Sequence, residues 1–120
     1  MGENIIKTKS FSFALRIVKL YQFLSSDKKE YVLSKQLLRS GTSIGALVRE
    51  SEQAESKLDF IHKLAIAQKE ANESDYWLEL LFKSGYLEEV QYQSLKSDIV
   101  EINKILASIS ITTKQKIGKK

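Results

Sequence analysis

One hundred and twenty residues, 42% hydrophobic and 28% charged, suffice for a single packed domain and are too apolar for a disordered chain. The absence of cysteine excludes a disulfide frame and a thiolate metal site. The net charge of +4 sits at one end, because Lys114, Lys116, Lys119 and Lys120 carry it while residues 1–113 hold fifteen basic and fifteen acidic side chains.

Four helices follow from the apolar spacing, at about 10–26, 30–54, 57–84 and 88–111, with a basic tail over 112–120. The chain has no proline, so long helices meet no break. In the first helix Phe11, Ala14, Val18 and Tyr21 form one stripe and Phe13, Ile17, Leu20 and Leu24 another, which predicts burial on more than one side. Ser26 or Asp27 is placed to cap the second helix.

The second helix puts Leu33, Leu37, Ser40, Ile44, Val48 and Ser51 on one face, with Lys35, Arg39 and Arg49 opposite. It also carries Gly41 and Gly45, each costing ~1 kcal/mol against alanine in a helix interior. Two glycines four apart, beside Ser40, Ser43 and Ala46, suit a close approach of another helix, either within the bundle or between subunits.

Ser56 is the expected N-cap of the third helix, with Asp59 in the place of the usual Glu or Gln of a capping box. Phe60, Leu64, Ala67, Ala71, Leu78 and Leu81 supply its core stripe, and Gly85 stands where a helix-ending glycine belongs. In the fourth helix Leu95, Ile99, Ile102, Leu106 and Ile109 alternate steps of four and three, a seam for near-parallel packing. Beyond Ile111 the pattern dissolves, predicting a frayed or disordered tail. The expected fold is an all-α, antiparallel up-down four-helix bundle in one domain.

Several runs carry a family resemblance. They are Phe13-Ala14, Val18–Tyr21, Gln36–Ala46, Val48–Glu50, Asp59–Leu64, Ala67, Lys69-Glu70, Glu73 and Tyr76-Trp77. The chain resembles the bacterial four-helix-bundle proteins encoded in intervening sequences of 23S ribosomal RNA genes. Leu47 departs from the Asn commonly found there between Ala46 and Val48. The resemblance implies a ring-shaped homo-oligomer, typically a pentamer. It also implies kinship with the accessory protein of diversity-generating retroelements, which binds nucleic acid and the reverse transcriptase. For the intervening-sequence branch itself, the resemblance brings no established biochemical activity.

The residues point the same way. His62 is a lone histidine on a charged part of a helix, there is no Gly-x-Ser-x-Gly elbow, and Gly41–Gly45 lacks the Gly-Lys-Ser/Thr ending of a phosphate loop. Glu70 and Glu73 lack the histidine that a di-iron bundle places beside them and read instead as ion-pair formers, pairing with Arg39 and Arg49 across helices being the alternative to a nucleic-acid role for those arginines. No catalytic residue, metal or cofactor is therefore expected.

Nucleic acid is the leading partner, bound with low sequence specificity through Lys35, Arg39, Arg49 and the tail residues Lys114, Lys116, Lys119 and Lys120. The alternative is a structural or adaptor oligomer that docks a protein, with Gly41, Gly45 and Trp77 serving helix packing or assembly. No apolar run approaches the ~20 residues that span a bilayer, and the amino terminus does not resemble a signal peptide, so a cytoplasmic protein without membrane contact is expected.

Overall fold

A computed structural model describes residues 2–118, with side chains from Ile5 onward. It consists of four helices, α1 (Gly2–Ser26), α2 (Leu33–Ser51), α3 (Lys57–Lys83) and α4 (Glu89–Gly118). Each helix packs on the next and α4 returns to α1, while the backbones of the diagonal pairs stay farther apart. Connections this short reverse the chain each time, giving an up-down bundle 54 × 22 × 20 Å. No helix among the described residues is long and apolar enough to cross a membrane.

The core is a single cluster built from the predicted stripes. Phe13, Ile17, Leu20 and Leu24 of α1 meet Leu37, Ile44 and Val48 of α2, Leu64, Leu78 and Leu81 of α3, and Leu95, Ile99, Ile102 and Leu106 of α4. The other stripe of α1 is only partly buried, since Ala14, Val18 and Tyr21 are half-buried and Phe11 keeps 48% of its surface in solvent. The bundle closes over one face of α1 only.

The helix ends explain most differences from the expected boundaries. The first begins earlier than Ser10, and Ile6 is fully buried in the core. α2 is capped neither by Ser26 nor by Asp27 but by Glu30. The Glu30 carboxylate accepts the backbone N–H groups of Val32 (3.1 Å), Leu33 (2.9 Å) and Ser34 (2.7 Å). Lys29 takes a left-handed φ of 57°, which turns the chain so that Glu30 can double back. Ser26 instead spends its hydroxyl on the Gln22 carbonyl at 2.6 Å.

At α3 the Ser56 hydroxyl accepts the Asp59 N–H at 3.0 Å, and the Asp59 carboxylate accepts the Glu55 N–H at 3.2 Å. The box is thus present, shifted by one residue at its return bond. The helix ends in a paired closure, Tyr86 N–H to Leu81 O at 2.9 Å and Gly85 N–H to Phe82 O at 3.0 Å. Gly85 has φ 89°, the conformation that favours glycine there. The expected frayed tail is replaced by helix, since α4 runs through Lys114 and Lys116 to Gly118 with no proline to stop it. Lys119 and Lys120 lie outside the described residues.

Gly41 and Gly45 are buried beneath α1 of the same chain. A Cβ on Gly41 would stand 2.9 Å from Ile17 Cγ1, and one on Gly45 would stand 3.4 Å from the Ser10 carbonyl oxygen. The close approach they permit is therefore between two helices of one molecule. Across the other flank of α2, Ser74 donates to Ser40 at 2.8 Å within the core, so small side chains join α2 to α3 as well.

Candidate functional site

The two halves of the bundle differ in charge. Residues 4–26 and 31–49, which form nearly all of α1 and α2, contain seven lysines and arginines and no acidic residue. The carboxylates lie on α3, on α4 and at the ends of α1 and α2. Four of the seven cations are neutralised by them. Arg16 meets Asp98 at 2.7 Å, Lys9 meets Glu101 at 3.2 Å, and Lys7 meets Glu52 at 3.3 Å.

Arg39 is the fourth. Its guanidinium bonds Glu70 at 3.2 Å and also engages Glu73. The hydrogen bond to Glu73 and the two nearby negative charges hold the guanidinium pKa above its ordinary value, against the opposing effect of partial burial. The Trp77 indole N–H donates to Glu73 at 3.0 Å. That bond, then the one from Arg39, depresses the Glu73 carboxyl despite its desolvation. Trp77 thus ties α3 to the Arg39 clamp and is itself half-buried.

Lys19, Lys35 and Arg49 remain without a carboxylate partner among the described residues. Lys35, Arg39, Thr42, Ala46 and Arg49 follow one another at steps of four and three and so line the outward side of α2. Arg49 lies over the Phe11 ring, 5.1 Å from its centroid. Leu15, four residues along α1, is 49% exposed. This outward side is basic and partly apolar, and Glu50, paired with Lys63, joins it at its carboxyl-terminal end. Of the sequence-derived cations, Lys35 and Arg49 share it openly, Arg39 shares it in neutralised form, and Lys114 and Lys116 lie on the last turns of α4. Lys116 stands beside Lys57 and Leu58 at the start of α3.

His62 is exposed, and no group of three or more His, Cys, Asp or Glu among the described residues is placed to hold a metal. The clefts are shallow, such as one of about 200 Å³ between α1 and α4 beside Lys9, Asp98 and Glu101, and the carboxylates there are already paired.

The model of the 23S rRNA-intervening sequence protein family matches residues 2–108. The chain belongs to that family. It is similar, with a TM-score of 0.91 and 59% identity, to the crystal structure of a protein of unknown function from the S23 ribosomal protein family of Bacteroides thetaiotaomicron. That likeness covers 92% of this chain and 98% of the other. No curated protein matches. The family membership agrees with the resemblance carried by Gln36–Ala46 and Tyr76-Trp77, and the bundle is the fold that it implied.

Lys19 was missed among the candidate cations, and so was Phe11 as part of the α2 surface. The signal for both was available: the acid-free runs 4–26 and 31–49 mark the side on which cations go unpaired.

Proposed function

We propose that this protein is a non-enzymatic binder of nucleic acid, structured RNA in particular, using the outward side of α2. The observation that carries this reading is the charge partition. Seven cations and no acid occupy residues 4–26 and 31–49, and Lys19, Lys35 and Arg49 are left uncompensated. A phosphate backbone supplies the missing anions, and each one neutralised releases counterions. Lys35 and Arg49 are fourteen residues apart on one helix, roughly 21 Å at 1.5 Å per residue, so a backbone crossing α2 has room for several phosphates between them. The 23S rRNA-intervening sequence name of the family is in keeping with an RNA context.

The test is to replace Lys35 and Arg49 together with Gln. Both side chains are exposed, so the variant should fold with an unchanged circular dichroism spectrum and bind structured RNA more weakly, with a shallower salt dependence. An unchanged affinity would remove α2 from the binding surface.

A second reading, a structural or adaptor oligomer, rests on α3. Tyr76 is 57% exposed beside the half-buried Trp77, with Leu80 next to it. We propose that assembly into a homo-oligomer uses this aromatic strip, which would repeat the basic side of α2 around the assembly and multiply weak phosphate contacts by avidity. Tyr76→Glu should lower the mass in analytical ultracentrifugation, and an unchanged mass would place assembly elsewhere.

A further inference from the structure

The Arg49–Phe11 pair is more than one more positive charge. Phe11 is a large aromatic residue on the outer side of α1, outside the core and exposed like Leu15 and Phe23 of the same helix. Its ring carries the Arg49 guanidinium at 5.1 Å from the centroid, and about half of the residue remains open to solvent. A planar cation resting on a ring is held in a stacked geometry at little cost in side-chain freedom, and it keeps its N–H groups free at the edges. Arg49 forms no ion pair among the described residues, because its two nearest carboxylates in sequence, Glu50 and Glu52, are engaged by Lys63 and Lys7.

We infer that Arg49 and Phe11 form a stacking platform for an unpaired base of single-stranded RNA, with the Arg49 edge taking an adjacent phosphate. This rests on the nucleic-acid reading above and gives it a substrate preference. A duplex hides its base faces in its own stack and offers only phosphates, whereas a loop or single strand offers both. The charge of the surroundings favours this occupant over a protein. An apolar partner laid over Phe11 and Leu15 would also cover Arg49, a charge whose neighbouring carboxylates Glu50 and Glu52 are already paired with Lys63 and Lys7. Lys35 lies farther along the same outward side of α2 and extends the phosphate track in one direction. Thr42 and Ala46, small residues between the cations, leave the track open.

The experiment compares the full chain with Phe11→Leu and Phe11→Trp, using a uridine-only single-stranded RNA and an RNA duplex of equal length at one fixed salt concentration. Sedimentation is run on every variant. Leu keeps the apolar contact and loses the π face. Phe11→Leu should lose about ten-fold in single-strand affinity, the lower end of what one stacked base contributes, with duplex affinity and sedimentation unchanged. Phe11→Trp should bind the single strand with a drop in tryptophan emission that the duplex does not produce. If Phe11→Leu binds both RNAs as the parent does, the platform is overturned while the phosphate-binding reading stands. If the parent binds neither RNA, the phosphate-binding reading fails and takes the platform with it. If Phe11→Leu changes the sedimenting mass and both affinities fall together, Phe11 is covered by a second copy of the chain, and the platform is again overturned.

Discussion

A Cβ on Gly41 would lie 2.9 Å from Cγ1 of Ile17, a side chain that is fully buried and has nowhere to retreat. The same atom on Gly45 would lie 3.4 Å from the Ser10 carbonyl oxygen, an ordinary contact. Two glycines with the same spacing logic therefore have different reasons to be there. At Gly41 the absent methyl lets α1 settle on α2. At Gly45 a methyl would just touch the backbone of α1 without displacing it.

This difference predicts opposite outcomes for one substitution. Gly41→Ala should destabilise, because overpacking of about 1–3 kcal/mol outweighs the ~1 kcal/mol gained in helix propensity. Gly45→Ala should be neutral or slightly stabilising. Urea denaturation of both variants checks this. Equal midpoints would show that Ile17 yields readily and that the approach of α1 does not depend on Gly41.

The start of α2 depends on Glu30. Burial pushes its carboxyl upward, but the backbone N–H groups of Leu33, Ser34 and Val32, with help from the Ser34 hydroxyl, outweigh burial and hold it below the ordinary 4.5. A carboxyl lowered on folding stabilises the native state above its unfolded value and loses that contribution as pH falls through the folded one. Glu30→Ala should therefore cost about 1 kcal/mol at neutral pH, as other lost helix caps do. The gap in Tm between parent and variant should shrink as pH drops below 4.5. A gap independent of pH would mean that the charge of Glu30 contributes nothing to the cap.

Arg39 and Arg49 lie on the same outward side of α2 and are predicted to behave differently. Arg39 is engaged by Glu70 and Glu73, whereas Arg49 has only the Phe11 ring. Arg39→Gln should cost on the order of 0.5 kcal/mol, as a half-exposed ion pair does, and should leave RNA affinity nearly unchanged. Arg49→Gln should do the reverse, weakening RNA binding at constant Tm. If Arg39→Gln weakens binding as much as Arg49→Gln, the carboxylates of α3 do not silence Arg39.

The contrast between these two arginines shows where sequence reading succeeds and where it stops. Apolar spacing placed Leu37, Ile44, Leu64, Leu78, Leu95 and Leu106 in the core, because burial follows helical period directly. The Ser56 cap and the Gly85 turn were legible because both depend on residues close in sequence. Ser10, Ser40 and Ser74 are fully buried as well, yet serine carries no apolar signal, and only the meeting of α2 with α3 reveals the Ser74–Ser40 bond. Glu30 was hidden for a related reason, since Ser26 and Asp27 have the usual capping chemistry and only the backbone turn at Lys29 decides for Glu30. Which cations stay unpaired depends on side chains 31 to 92 positions apart, such as Arg39 with Glu70 and Lys9 with Glu101. Periodicity puts Arg39 and Arg49 on one side of α2, and only the packed bundle distinguishes them.

The basic carboxyl-terminal end competes with α2 as the source of any RNA affinity. Lys114 and Lys116 lie on the final turns of α4, beyond the buried seam that ends at Ser110. Removing residues 114–120 should therefore leave the core intact. The most direct measurement is the affinity of the full chain and of this truncated form for a structured RNA across a salt series. Binding near physiological salt that survives truncation, with a reduced salt slope, is the predicted result, and it locates the site on the bundle. No binding by either form, or binding that disappears with the four terminal lysines, would contradict the assignment of the acid-free side of α1 and α2 as the nucleic-acid surface.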